Sequence, residues 1–447
     1  MDHPMTPASA TESDLSAAID EAVKGLGLTP VEEKDDIEDA ESIATLRRER
    51  RPRSEDNIGV LTLVNTDGVL YWEDSSGILP NALKGRRGRG FWGHGSVVKQ
   101  LKYPIVGFSK VGEYLERLDN DFTPARQLRY WNGTKLKALE RPSGERPILL
   151  FIHGTFSKNE AIFDQLQATS QGKGFLDRMG QKYEILAFDH PTLSMSPVIN
   201  ALDLGRILGG YPKPIDVICH SRGGLVTRWW LEVFDPGSHG KRRAVLVGAP
   251  LKGTSLAAPD KIRNGMQLLT NVGNVLLGGL SLIPCFTVAA GVLTLLGSVG
   301  SIMAATPVVD GIVAAVPGLA GMSLVQNNFE LQRLNKIAAT GTTSPEYFAV
   351  SSNFQPNGPG WHFWRQFVDF KIRAAHLGAD QLVFDGQNDL VVDTESMFQL
   401  AGSLIPDDPR RVWRFRDSAT VDHSSTVHHT NYFLQPETVE FIERALQ

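Results

Sequence analysis

Cys219-His220-Ser221-Arg222-Gly223 follows directly on the apolar run Ile215-Asp216-Val217-Ile218 and leads into a stretch of helical composition. A serine with small residues two positions to either side, at a strand-to-helix junction, has the pattern of a nucleophile elbow. The turn is so tight that bulk at either flanking position would meet neighbouring backbone, and Cys219 and Gly223 both satisfy that demand. Ser-x-Gly also occurs in ordinary turns, but here the preceding strand and the partners downstream favour Ser221 as a nucleophile held above a sheet edge.

A serine hydroxyl attacks poorly at neutral pH, so it needs a neutral imidazole beside it and a carboxylate to orient that imidazole. With an elbow of this kind the chain order is serine, acid, histidine. The first acid-rich turn after the apolar run Tyr347-Phe348-Ala349-Val350 is Phe384-Asp385-Gly386-Gln387-Asn388-Asp389-Leu390-Val391-Val392. Asp389 is the expected acid because its apolar successors can pin the loop, whereas Asp385 precedes glycine and reads as turn chemistry. The base belongs on the loop before the terminal helix, where His423, His428 and His429 all lie, and position alone does not choose among them.

These groups need a rigid scaffold. Pro147 to Ile152, Tyr183 to Phe188, Ile215 to Ile218, Ala244 to Gly248 and Tyr347 to Val350 are apolar strands at helix-length intervals, which implies a mostly parallel sheet covered on both faces. Trp413-Arg414-Phe415 supplies a last strand, and Glu437 to Leu446 a terminal helix with Pro436 at its start. Upstream, Gly59 to Val64 and Val69 to Trp72 flank Asn65-Thr66-Asp67-Gly68, the signal of a β-hairpin. Residues 1–57 are charged and nearly free of aromatics, so they read as a disordered or loosely helical tail. The expected organisation is therefore a tail at 1–57, an extension with a hairpin at 58–145 and an α/β domain at 146–447, interrupted by an apolar insertion at 260–335.

Phe151-Ile152-His153-Gly154-Thr155, Cys219-His220-Ser221-Arg222-Gly223-Gly224-Leu225, Val247-Gly248-Ala249-Pro250 and Asn388-Asp389-Leu390-Val391-Val392 together resemble the α/β-hydrolase superfamily, nearest its lipase and esterase branch. Phe188-Asp189-His190-Pro191-Thr192-Leu193-Ser194 and His429-Thr430-Asn431-Tyr432-Phe433 look like a sparsely characterised bacterial subgroup of it. The resemblance spans about residues 146 to 447 outside the insertion and departs at Cys219, where many members carry glycine. It implies an α/β-hydrolase fold, a Ser221-Asp389-His429 triad, and an oxyanion hole formed by the N–H groups of Thr155 and Arg222. His153, Gly154, His220 and Gly223 are implied as support, with His153 propping the oxyanion loop rather than acting as a base. The implied activity is ester hydrolysis through an acyl-enzyme. An acyltransferase or thioesterase using the same triad is the alternative, as is a membrane-associating effector with the hydrolase body as a scaffold.

The chain has 447 residues, 42% hydrophobic and 21% charged, with a formal net charge of -5, a globular balance that gives no reason to expect nucleic acid as a partner. The run Lys84-Gly85-Arg86-Arg87-Gly88-Arg89-Gly90 is too brief to change that and reads as a solvated loop. Two cysteines, Cys219 and Cys285, support neither a disulfide framework nor a cysteine metal site, and no cofactor or metal is expected. The start of the chain lacks the basic and apolar segments of a secretory signal, so a cytoplasmic location is expected. No charged residue occurs from Asn264 to Val309 or from Gly311 to Phe329. Pro284, Pro307 and Pro317 divide this region, and both its ends must return to one sheet. A lid or acyl-binding cap over an apolar, lipid-like ester is thus favoured over a buried subdomain or a membrane-inserting segment, with peripheral membrane contact as its corollary.

Overall fold

Ile148 to Ile152 are all fully buried, because the strand they form has neighbours on both edges and packed layers on both faces. The computed structural model describes residues 12–23, 26, 28–31, 58–66, 69–74, 96–106, 110–123, 127–235, 242–254, 266, 269–271, 282–303, 316–324, 328–338, 345–354, 387–399, 405–415 and 426–447. Asp385, His423, the basic run at 84–90 and the hairpin tip at Asp67-Gly68 lie outside them.

The first half of the chain contains α1 (Glu12–Ala22), β1 (Thr29–Pro30), β2 (Ile58–Thr66), β3 (Val69–Asp74), β4 (Ser96–Pro104), α2 (Val111–Phe122), β5 (Gln127–Trp131), β6 (Leu136–Leu139), β7 (Ile148–Ile152), α3 (Asn159–Ala168), α4 (Ser170–Lys182), β8 (Glu184–Asp189), α5 (Pro197–Leu208), β9 (Ile215–His220) and α6 (Gly223–Trp229). A π-helical turn, Trp230–Phe234, continues α6. Then come β10 (Arg243–Val247), α7 (Leu282–Met303), α8 (Pro317–Ala320), α9 (Phe329–Ala338), β11 (Glu346–Ser352), β12 (Val412–Phe415) and α10 (Pro436–Ala445).

Among the described residues the main sheet has eight strands in the order β12-β11-β10-β9-β7-β8-β5-β6. From β12 to β8 every pairing is parallel, and β5 and β6 add an antiparallel edge. Alternation along the strands divides the core. Leu149, Phe151, Ile218, Val245 and Val247 face α3, α4 and α10, while Leu150, Ile152, Val217, Cys219 and Leu246 face the side of α5 and α6. Asp216 interrupts the apolar run of β9, yet it is satisfied by Arg243 Nη2 at 2.7 Å and by the Tyr183 hydroxyl, which donates at 2.9 Å. From β7 the chain steps to β8 on one side and then returns to place β9 on the other. Such a reversal opens a crevice at the carboxyl ends of the strands.

Two expectations change. The boundary at 146 does not hold for the sheet, because β5 and β6, from residues 127–139, complete one side of it with β6 outermost; their mixed polar and apolar pattern reflects only partial cover there. Part of the tail expected at 1–57 is structured: α1 buries Leu15, Ile19 and Ala22 and packs on α7, and Lys99 Nζ lies 2.8 Å from Asp20. These residues cannot order themselves alone, but they find their apolar partner elsewhere in the chain. β2 and β3 form the expected antiparallel hairpin, and β1 and β4 extend it to a four-stranded sheet.

Among the described residues no helix qualifies as a membrane span. The long apolar helix α7 has its described side chains committed to the protein. Phe286, Ala289, Ala290 and Leu293 are fully buried, Thr287 Oγ1 donates to the Ala22 carbonyl at 2.9 Å, and Ser298 Oγ lies 3.0 Å from the Tyr114 hydroxyl.

Candidate active site

At the end of β9, Ser221 adopts φ 54°, a left-handed conformation that a residue with a side chain takes only when its surroundings impose it. Those surroundings are backbone packed too closely for any Cβ. One on Gly223 would lie 2.5 Å from the Ile152 carbonyl oxygen, and one on Gly154 would lie 2.7 Å from the Ser221 Cβ. The Ser221 N–H donates to the Val247 carbonyl at 2.9 Å, tying the turn to β10. Cys219 faces the core, where burial pushes its thiol up to about 12, so it is no competing nucleophile.

Asp389 is fully buried and its carboxylate is saturated with donors. Oδ2 accepts from His429 Nδ1 at 2.7 Å and from the Tyr432 hydroxyl at 2.8 Å; Oδ1 accepts from the N–H groups of Val391 at 3.1 Å and Val392 at 2.7 Å. Leu390 at φ 81° makes the turn that folds those amides back onto the carboxylate. Burial pushes the Asp389 carboxyl up, but the neighbouring His429, the Val392 amide and the Tyr432 hydroxyl outweigh it and hold the group below its ordinary value. The His429 N–H also donates to the Asp389 carbonyl at 2.9 Å, and His220 Nε2 donates to the His429 carbonyl at 2.8 Å.

His428 points the other way. It is fully buried, stacks on Phe354 with centroids 5.9 Å apart, and neither ring nitrogen has a partner among the described residues. Burial pushes its imidazole down to about 3, so it is a neutral core side chain. Burial likewise lowers His220 to about 3, keeping it a neutral donor behind His429.

Ser221 and His429 line one cavity of about 110 Å³. Thr155, Phe156, His220 and Tyr432 line it as well, and α7 and the segment around α8 contribute Val288, Val292, Leu319 and Met322. The loop after β7 carries Thr155 into this wall. His153 Nδ1 donates to the Gly154 carbonyl at 2.9 Å while its Nε2 accepts the His190 N–H at 3.2 Å, and burial keeps His153 neutral by lowering its pKa. Among the described residues no backbone carbonyl takes the N–H of Thr155 or of Arg222. The Arg222 side chain runs away from the cavity: it is buried and donates to the Met195 carbonyl at 2.5 Å, and burial lowers it to about 10.

All nine site residues expected from the sequence thus meet around one crevice or directly behind it. The cavity wall from α7 and α8 had been expected only as an insertion without named residues, and no role was assigned to Tyr432 although its motif was noted. Phe156, at φ 49°, was also missed; it packs so closely on α7 that a Cβ at Gly291 would lie 2.7 Å from its ring. Among the described residues no group of three or more His, Cys, Asp or Glu side chains is arranged to hold a metal ion.

Comparison with known proteins gives the following. Solved structures similar to this chain include that of a proposed aryl esterase from Burkholderia cenocepacia, at 12% identity and a TM-score of 0.35, covering 69% of this chain and 94% of the other. Lipase 1 from Pelosinus fermentans is similar at 14% identity and a TM-score of 0.37, covering 66% of this chain and 98% of its own. An epoxide hydrolase of the α/β-hydrolase superfamily from metagenomes of hot environments is similar at 14% identity and a TM-score of 0.23, covering 39% and 71%. No curated protein matches the chain. Residues 117–447 match the family described as Domain of unknown function (DUF7379).

Proposed function

We propose that this chain, which belongs to the DUF7379 family, is a serine hydrolase that cleaves an apolar acyl ester through an acyl-enzyme. The observation that carries this reading is that Ser221 and His429 line the same cavity while Asp389 Oδ2 sits 2.7 Å behind His429 Nδ1.

With a substrate in the cavity, Ser221 Oγ attacks the ester carbonyl and His429 Nε2 takes the hydroxyl proton. Asp389 holds Nδ1–H and stabilises the imidazolium, and the N–H groups of Thr155 and Arg222 receive the developing oxyanion. His429 then protonates the departing alkoxide, and water repeats the sequence on the acyl-enzyme. Gly154 and Gly223 supply the close approach, His153 props the oxyanion loop, and His220 anchors the backbone of His429. The apolar wall from α7 and α8 acts as a cap that takes the acyl chain.

The test is labelling with a fluorophosphonate probe together with turnover of p-nitrophenyl esters and thioesters of increasing chain length. Wild type should label and Ser221→Ala should lose both labelling and turnover. Undiminished labelling of Ser221→Ala, or unlabelled wild type, overturns the reading. Equal turnover of acetate and long-chain esters overturns the cap.

A further inference from the structure

We propose that Tyr432 is a positioning residue of this site, its hydroxyl fixing the Asp389 carboxylate so that the same oxygen holds His429. This rests on the serine-hydrolase reading above and assigns a fourth member to its relay.

Three observations support it. The Tyr432 O–H and His429 Nδ1 converge on one carboxylate oxygen, at 2.8 and 2.7 Å. The phenol has a single proton to give: Met397 S at 3.5 Å is a weak acceptor beside a carboxylate, and Ser352, which also meets the phenol oxygen, acts there as a donor. The ring is also held: it is buried at the start of the 3₁₀ turn Tyr432–Leu434 and lies edge-on to His429 with centroids 6.5 Å apart. It passes Gly248 so closely that a Cβ there would come within 2.9 Å of the ring and 3.3 Å of Asp389 Oδ2. Gly248, at φ 59°, is thus the gap through which the tyrosine reaches the acid.

The chemical consequence concerns the Asp389–His429 pair as one titrating unit. Its other titratable neighbours are His428 from the same loop and His220 from the end of β9, both held neutral by burial. Tyr432 remains a phenol, because burial and the Asp389 charge raise its pKa well above the ordinary value. It therefore withdraws charge from the carboxylate without adding any. Without that donor, more negative charge stays on Asp389 and the pair retains its proton to higher pH. Protonated pair is inactive pair, so the acid limb of the reaction moves upward.

The experiment follows the fluorophosphonate labelling rate of full-length wild type and Tyr432→Phe from pH 4 to 9, with thermal melting of both. A two-by-two cycle adds Asp389→Asn to each background. The expected result for Tyr432→Phe is a rate about tenfold lower at the plateau and an acid limb shifted up by about half a unit. In the Asp389→Asn background the same change should have no further effect. A labelled wild type whose Tyr432→Phe variant keeps the same limb overturns the proposal, as does a change that adds in full to Asp389→Asn. Altered probe affinity with an unmoved limb would make Tyr432 a cavity wall only. Should Tyr432→Phe melt early, the cycle is run with Tyr432→Leu, and full additivity there again overturns the proposal. An unlabelled wild type overturns the serine-hydrolase reading itself, which separates the two failures.

Discussion

Gly154 and Ser221 are in such close contact that a Cβ on the glycine would lie 2.7 Å from the serine Cβ and 3.3 Å from its Oγ. The loop after β7 and the turn after β9 therefore position each other, and Ser221 has no room to retreat. Gly154→Ala should displace Ser221 or the Thr155 amide and lower kcat/KM on a p-nitrophenyl ester by about 10² or more. The cost in stability should be about 1–3 kcal/mol, as for overpacking elsewhere. Steady-state kinetics and urea unfolding measure the two separately.

His428 gives a pH-dependent prediction. Its folded pKa is lowered to about 3 by burial, whereas an unfolded histidine titrates near 6.5. As pH falls through that window the unfolded chain takes up a proton that the folded chain refuses, so stability drops by about 1.4 kcal/mol per pH unit from this residue. His220 acts in the same sense. His428→Phe removes one such residue together with its two unpartnered nitrogens. Its stability should fall less steeply between pH 6.5 and 4, measured by urea titration at several pH values, while the rate of fluorophosphonate labelling at neutral pH stays near wild type.

The cavity makes a size prediction. Val292 of α7 lines a space of about 110 Å³, and a tryptophan there would fill the room that the proposed acyl chain would take. Val292→Trp should lower turnover of long-chain esters about tenfold or more relative to acetate. A parallel loss on acetate would show instead that α7 or the oxyanion loop had moved.

Asp119 of α2 clamps the strand-to-helix loop that runs beneath Arg222. Its carboxylate accepts the N–H groups of Thr192 at 2.7 Å, Leu193 at 3.0 Å and Ser194 at 2.7 Å, and the Ser194 hydroxyl at 2.6 Å. The next residue, Met195, receives the Arg222 side chain. Asp119→Asn turns an amide N–H₂ toward these donors and should cost about 2–3 kcal/mol, read as a lowered urea midpoint. Restoration of full stability by the asparagine would mean that the loop does not need the charge.

Much of this arrangement was legible along the chain. Continuous apolar runs, buried on both faces of the sheet, made β7, β9 and β10 recognisable, and the elbow could be read at Ser221 because a sharp strand-to-helix turn restricts residue size within five positions. β5 and β6 are not legible in the same way, since strands at the partly covered side of the sheet carry polar residues and lack the continuous apolar signal of the central strands. α1 lies within residues 1–57, whose charge and lack of aromatics read as a tail, and the apolar partner that orders it, α7, lies far away in sequence.

By itself the sequence determined the nucleophile candidate, the strand carrying it, the acid turn at Asp389 and the region of the base. These are local properties: sterics of a turn, periodicity of a strand, and chain order. Position along the chain left His428 and His429 open and only the family resemblance pointed to His429; the tertiary structure supplies the physical difference, because adjacent side chains point to opposite sides of the loop and just one of them meets a carboxylate 40 residues away. It also brought Tyr432 onto that carboxylate and closed the cavity with α7. Those contacts join segments far apart in the chain, and their specificity lies in packing that no local pattern encodes.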